Sequence, residues 1–449
     1  MESDLGDVMI RALPIAPTVF LVTFAIYNAN GREIGSYDTQ PTKFAAITLA
    51  RHGTLRLDSV VMATPVYGER SGFSRDREGH YRSAYPVLPA ILAGTVATAL
   101  AAAHVVDLRE PATAGLVAKL TASMLTSLAV VLSFLVARRR LAQMPAVALT
   151  FALGLGTNYW AVISQTLWQT ETAVAALTGA MFFLSVPAIE LNGRRLGMAA
   201  LLLGMAGAAR PQLAPAVAVL ALSILVRRGR RADVLALVPL AAFTATAIAL
   251  NVTWFGHPLG TAPRLEALHI NVHGVSGSLG NPLIGLAGLL VSPSRGLLVF
   301  SPIVAIALAA WPAILRGSWR DDLRWCCTAA LVELACYASY SVWWGGHTYG
   351  PRYVIDIIPL LVPLAAVGLP WCLGAPWRKT VALAALVWSI LVAGTGAVVY
   401  PNDQWNTSPA EVDVNHERLW DWRDPQVVRC WKAGPSPSNF SLFKSGASL

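Results

Sequence analysis

The chain has 449 residues, 55% of them hydrophobic and 13% charged, with a formal net charge of +9. Soluble domains carry about 25% charged residues, so a mean hydropathy of +0.54 excludes an ordinary soluble enzyme and points to a polytopic membrane protein. The arginines fall in short clusters between apolar runs, as cytoplasmic loops do, and no nucleic-acid partner is expected.

The first apolar run, Ile10 to Tyr27, follows an acidic start and has no small-residue cleavage site after it, so it reads as a retained span. A long polar loop follows, 29–83. Within it Thr39-Gln40-Pro41 reads as a helix start, and Phe44, Ile47 and Leu49 at near-helical spacing predict an amphipathic surface helix over 41–52. Asp38 stands just before it, where an acid is commonly no more than a cap.

A crossing needs about 20 mostly apolar residues. Segments 84–106, 114–137, 143–163, 170–190, 196–208, 212–226, 233–252, 286–315, 326–344, 352–374 and 380–400 reach or approach that after the first run 10–28. The positive-inside rule places Arg138-Arg139-Arg140, Arg194-Arg195, Arg227-Arg228 with Arg230-Arg231, the Arg316 to Arg324 loop and Arg378-Lys379 in the cytoplasm. With a cytoplasmic N-terminus, segment 84–106 must then begin and end outside. It is expected to be a juxtamembrane or re-entrant helix, which leaves about eleven crossings; the alternative is that 84–106 simply spans and the positive-inside rule fails locally. The expected division is a transmembrane module, 1–400, and an extracytoplasmic tail, 401–449, that packs as a strap and is mobile from Gly434 onward.

The five cysteines show no CxxC or Cys/His spacing, so neither a structural zinc site nor a disulfide framework is expected. The outer side, in contrast, collects charge, Gly and Pro: loop 29–83, the Gln165–Glu171 turn, the Arg210-Pro211 break, loop 253–285, the Ser292–Arg295 turn and "GGHTYGPR" at 345–352. That uneven distribution suggests a site on this face.

An acid immediately outside the first span, a surface helix ending "ARHGTLRLD", and then "GHYRSAYPVLPAILA" before an apolar helix resemble the GT-C glycosyltransferases. The order is most similar to bacterial members related to lipid A aminoarabinose transferases and protein O-mannosyltransferases. "GAARPQLAPAVAVL" resembles the family's helix pair meeting at a basic residue, and "WWGGHTYGPRYVIDIIPLL" its "GG...GPRY...P" segment. One departure is that Pro86 and Pro89 are spaced and not adjacent. The resemblance implies an all-α, GT-C-like fold in the plasma (inner) membrane, with an extracytoplasmic site. It also implies an inverting transfer of sugar from a polyprenyl-phosphate donor to a glycan, lipid or protein hydroxyl among membrane lipids.

Such a transfer needs a base to take the acceptor proton, and Asp38 is the candidate by position and by resemblance. The leaving phosphate needs fixed cationic groups. Arg210, set between apolar halves, and Arg352, at the outer mouth of a span, are the leading candidates, with Tyr349, His347 and Lys43 as further donors. Ion pairing between helices is the plainer role for Arg210, and membrane anchoring for Arg352. Asp356, one turn beyond Arg352, is expected to neutralise it. Tyr81, Arg82 and Glu171 are supporting candidates, and His257, His269 and His273 are read as loop residues facing the acceptor. Asp38 has no second acid beside it in "SYDTQP", which argues against a divalent ion there, and no cofactor is expected. The rival reading is a lipid-linked sugar flippase or another transporter. It should show inverted repeats and paired broken helices, whereas one basic break, at Arg210, is visible.

Overall fold

The computed structural model describes residues 14–64, 72–265, 267 and 279–444. Among them the only sheet is a two-stranded hairpin, and everything else regular is helical. The N-terminal part of the first apolar run, His269 and His273 lie outside the described residues.

Helix α1 (Ala16–Asn28) leads into the first loop, where α2 (Gln40–His52) begins beside Pro41 as its sequence predicts and ends at Gly53. The face that α2 buries is not the predicted large apolar stripe. Ala45, Ala46 and Thr48 are buried, while Phe44, Ile47 and Leu49 are half-buried. Small residues win because α3 (Leu88–Ala102) approaches very closely: a Cβ on Gly94 would lie 3.0 Å from Leu49 Cδ2 and 3.3 Å from the Ala46 carbonyl. Between α2 and α3, β1 (Phe73–Arg75) pairs antiparallel with β2 (Tyr81–Ser83), a departure from the purely helical expectation. Asp76 closes the turn by accepting the Glu78 and His80 N–H groups, each at 2.9 Å. Phe73, Leu57, Ala45 and Ala90 then form a small core beneath the hairpin.

At 15 residues α3 rises about 22 Å, short of the about 30 Å hydrocarbon core. Helix α4 (Pro111–Ala137), at 27 residues, rises about 40 Å and runs the full height of the bundle. It is followed by α5 (Gln143–Leu155), α6 (Thr170–Leu184), α7 (Gly193–Ala209), α8 (Ala214–Arg228) and α9 (Val238–Phe255). The predicted run 286–315 is not one helix. Helix α10 (Pro282–Val291) stops at Ser292-Pro293, and short helical pieces Leu297–Phe300, Pro302–Ala310 and Trp311–Arg316 continue after it. Proline cannot extend the helical ladder, and the Ser292 hydroxyl is committed to the Leu419 carbonyl at 2.6 Å. The bundle closes with α11 (Asp322–Ala338), α12 (Ile358–Leu373) and α13 (Pro376–Val399).

Among the described residues, five helical stretches are long and apolar enough to cross a membrane: Pro111–Ala137, Pro211–Arg228, Asp233–Phe255, Tyr353–Leu373 and Pro376–Val399. Shorter apolar helices, including Ala16–Asn28, Gln143–Leu155 and Thr170–Leu184, pack among them, as a multi-pass membrane protein requires.

The two ends of α4 differ in chemistry. At its C-terminal end the arginine clusters converge: Arg140 pairs with Asp322 at 2.5 Å, Arg139 donates to the Ser185 carbonyl, and Arg227 to that of Arg320. Its N-terminal end lies against Glu33, so close that a Cβ on Gly115 would sit 2.8 Å from Glu33 Oε2. There the first loop, residues 164–168, the 292–296 break, residues 344–352 and the tail assemble.

The tail is fastened throughout its described length. Arg295, fully buried, donates to the carbonyls of Trp344 (3.1 Å) and Ser294 (2.7 Å) and to Gln426 Oε1 (2.8 Å) and Asn406 Oδ1 (2.7 Å). Helix α14 (Gln426–Ala433) carries that glutamine. The described part of the stretch after Gly434, residues 435–444, which is expected to be mobile, is instead tied down. The Ser436 N–H donates to Val398 O, Phe440 to Asn30 O and Leu442 to Gly31 O, at 3.0, 2.8 and 2.9 Å.

Candidate functional site

Asp38 sits in a single 3-10 turn, Tyr37–Thr39, at the entrance to α2. Capping there falls to Thr39, whose hydroxyl accepts the Ser36 N–H at 3.1 Å and donates to the Ser36 carbonyl at 2.8 Å. The Asp38 carboxylate is therefore free for other partners. Its Oδ1 accepts the Tyr85 hydroxyl at 2.9 Å, and its Oδ2 lies 3.3 Å from Arg352 Nη1. About half of the Asp38 side chain remains exposed, so one side of this pair stays open.

Arg352 is aimed at Asp38 by the backbone before it. Gly350 adopts φ +62, and a Cβ there would lie 2.5 Å from the Phe300 ring, so only glycine lets the chain turn under Phe300. Its N–H donates to Gln426 Oε1 at 3.1 Å. The Arg352 guanidinium then lies over Trp168, 4.8 Å from the ring centroid, with Nε enclosed and unpaired.

Tyr349 does not join this group. It is fully buried, packs 5.3 Å from Phe300, and its hydroxyl donates to the Val392 carbonyl at 2.7 Å, so it anchors the turn. His347 points to the tail, with Nε2 3.5 Å from both Glu411 and Asp413.

Arg210 follows α7 where Pro211 breaks the chain. It is buried and pairs with Asp356 at 2.5 Å, with the Tyr337 hydroxyl at 3.3 Å; that hydroxyl also donates to Asp356. Asp356 thus serves Arg210, not Arg352 as the one-turn spacing predicts, because it sits in the 3-10 turn Tyr353–Ile357 and not in a regular α-helix. The two arginines still meet across one ring: their guanidinium carbons lie 5.9 and 5.6 Å from the Tyr353 centroid. Arg210 Nη2 is buried without a partner. The break is completed by Glu333 of α11, whose carboxylate accepts the Ala216 N–H in the first turn of α8 at 3.2 Å, where a helix N-terminus favours an anion.

The other expected residues have other occupations. Lys43 is buried against Glu33 at 2.9 Å, and Glu33 also accepts the Thr166 hydroxyl at 2.6 Å. Tyr81 and Arg82 belong to the hairpin. Arg82 pairs with Asp76 at 2.6 Å and covers Trp254, while Tyr81 lies under Arg75. Burial alone would raise the Asp76 carboxyl, but hydrogen bonds from Arg82 and the His80 and Glu78 N–H groups hold it below the usual carboxylate range. Glu171, in the first turn of α6, is completely buried with both oxygens unpaired. His257 accepts the Leu259 N–H within its own loop. An open cleft of about 1030 Å³ between the ends of α2, α3 and α4 is lined by Arg51, His52, His104 and Asp107, and contains none of this cluster.

Tyr85, Trp168, Tyr337 and Tyr353 escape sequence reasoning. Tyr85 alone left a signal, as the aromatic before "PVLP".

A long first loop folded over one end of a multi-pass bundle, with an acid at its mouth facing arginines from later helices, is carried by a fold similar to that of the GT-C membrane glycosyltransferases. The chain aligns with the crystal structure of ArnT from Cupriavidus metallidurans bound to undecaprenyl phosphate, with a TM-score of 0.53 and 14% identity, covering 94% of this chain and 75% of that one. It also aligns, at a TM-score of 0.44 and 12 to 13% identity, with two structures of the Archaeoglobus fulgidus oligosaccharyltransferase. One is the apo form and one is in complex with an inhibitory peptide and a dolichol-phosphate; 92% of this chain covers 60% of each. No family model and no curated protein matches the sequence.

Proposed function

We propose that this protein is an integral membrane glycosyltransferase that moves a sugar from a polyprenyl-phosphate donor to a hydroxyl of a glycan, lipid or protein. The observation that carries the reading is the half-exposed Asp38 carboxylate, free of capping duty and 3.3 Å from Arg352 at the open end of a GT-C fold. Arg352 releases Asp38 when the donor arrives, since its phosphodiester offers the guanidinium a bidentate anionic partner that gains a second charge as the bond to the sugar breaks. Arg210, with its unpaired Nη2, supports the same phosphate from across Tyr353.

Asp38 then takes the proton of the acceptor hydroxyl as that oxygen bonds to the anomeric carbon. The bond from that carbon to the phosphate oxygen breaks, the electron pair leaves with the polyprenyl phosphate, and the anomeric configuration inverts. The proposed setting is the plasma membrane, with the arginine-rich end and the N-terminus cytoplasmic, about eleven crossings, α3 lying at the surface, and the Asp38 end outside. The separation of the basic clusters from Asp38 along α4 supports that orientation.

The test supplies the purified protein in nanodiscs with a panel of polyprenyl-phosphate sugars together with glycan, lipid and protein acceptors bearing free hydroxyls, and follows release of the polyprenyl phosphate. Wild type should consume at least one donor, and Asp38→Asn should lose about 10²- to 10⁴-fold in rate. A D38N protein as active as wild type, or transbilayer movement of donor with no cleavage, defeats the proposal.

A further inference from the structure

The geometry points to a divalent transition-metal site, of the zinc class, formed by His347, Glu411 and Asp413, which clamps the tail onto the segment that presents Arg352. The three side chains come from two distant parts of the chain, and one ligand atom from each lies within 4.8 Å of the others. His347 Nε2 is 3.5 Å from Glu411 Oε1 and 3.5 Å from Asp413 Oδ2.

Those separations are too long for a charged hydrogen bond, which would draw nitrogen and oxygen to about 2.7–2.9 Å. They do match two ligands on one ion: at bond lengths of about 2.1 Å, tetrahedral neighbours stand about 3.4 Å apart. His347 Nε2 is closed to solvent yet makes no hydrogen bond. An imidazole nitrogen enclosed between two carboxylate oxygens at these separations is a donor set suited to a cation.

The surroundings orient the ligands. Asp413 Oδ1 accepts the Trp344 indole N–H at 2.7 Å, which turns Oδ2 towards His347. His416 stacks on Trp344, 4.4 Å between centroids, and its Nε2 meets the Asp413 carbonyl at 2.9 Å, fixing the backbone that carries the carboxylate. Such outer partners are what hold metal ligands in place. Glu411 is half exposed, which leaves room for water as a fourth ligand. One imidazole with two carboxylates suits zinc or manganese, and zinc is bound more tightly by a given site.

The site lies five residues before Arg352, on a stretch that Arg295 already ties to the tail through the Trp344 and Gly346 carbonyls. A bound ion would add a second tie at the other edge of that stretch. It is separate from Asp38, and it stands or falls independently of the sugar-transfer reading.

The test uses the full chain in nanodiscs, stripped with chelator and titrated with zinc alone and with manganese alone at about pH 7.5. Wild type should take up one zinc per chain and gain thermal stability as it does so. His347→Ala and Asp413→Asn should weaken binding by more than about tenfold and abolish the stabilisation, with manganese weaker than zinc throughout. Glu411→Gln, at a half-exposed position where folding is not at stake, should also weaken zinc. Failure of wild type to bind stoichiometric zinc, or equal binding in Glu411→Gln and wild type, overturns the site.

Discussion

The Arg210–Asp356 pair allows a structural role to be separated from a catalytic one by a double-mutant cycle. Both side chains are buried, and they meet at 2.5 Å. At an effective dielectric of about 20, unit charges at that distance attract by roughly 7 kcal/mol, of the same order as the cost of desolvating them. Two polar atoms of the pair, Arg210 Nη2 and Asp356 Oδ1, have no partner, so the net gain over an apolar pair is close to zero. Removing one partner is different. Asp356→Leu leaves Arg210 with the Tyr337 hydroxyl and two rings near 6 Å, and should cost about 3–5 kcal/mol. Arg210→Met should cost a similar amount by stranding Asp356. The double variant, with a packed apolar pair, should recover most of that loss. Reversible unfolding in mixed micelles measures all three. If the double variant loses the sum of the single losses, the pairing argument is wrong. If the double variant is stable and also binds polyprenyl phosphate as wild type does, Arg210 takes no part in holding the phosphate.

Gly350→Ala should destabilise by at least about 1–3 kcal/mol, from its positive φ and the 2.5 Å approach to Phe300, and should weaken phosphate binding by displacing Arg352; thermal unfolding and a lipid-phosphate titration read the two effects. Lys43→Met should lower stability by stranding Glu33 but leave the affinity for undecaprenyl phosphate within about threefold of wild type, measured by the same titration. The hairpin should loosen in acid. Because the Asp76 carboxyl is held below its unfolded value, its contribution is complete above about pH 4 and is lost as pH falls through the lower folded value, so hydrogen-exchange protection of residues 73–83 should be flat from about pH 7 to 5 and decline below about 4.

Much of this was legible in residue order. The apolar runs mark the helices, Pro41 marks the start of α2, and the arginine clusters that define one end are contiguous in sequence. Asp38 and Arg352 could each be chosen because each stands at a boundary between apolar and polar chain. What stayed hidden depends on contacts between distant segments. Nothing in the sequence pairs Lys43 with Glu33 or Arg210 with Asp356, and the i, i+4 rule that joined Asp356 to Arg352 assumes an α-helix where the chain takes a 3-10 turn. Run 286–315 is apolar enough to span, yet Pro293 and the Ser292 hydroxyl divide it. Composition alone suggested that the chain after Gly434 is mobile; the anchoring bonds come from the backbone of residues 30, 31 and 398, which composition does not record.

The central claim is that a polyprenyl phosphate is bound where Asp38 faces Arg352. It is tested most directly by a structure of the protein in nanodiscs with undecaprenyl phosphate added. The account predicts phosphate density bidentate on Arg352, within reach of Arg210, with Asp38 released and still facing the open side. Phosphate density at the arginine-rich end near Arg140 and Arg227, or an Arg352–Asp38 pair unchanged beside a lipid bound elsewhere, would contradict it.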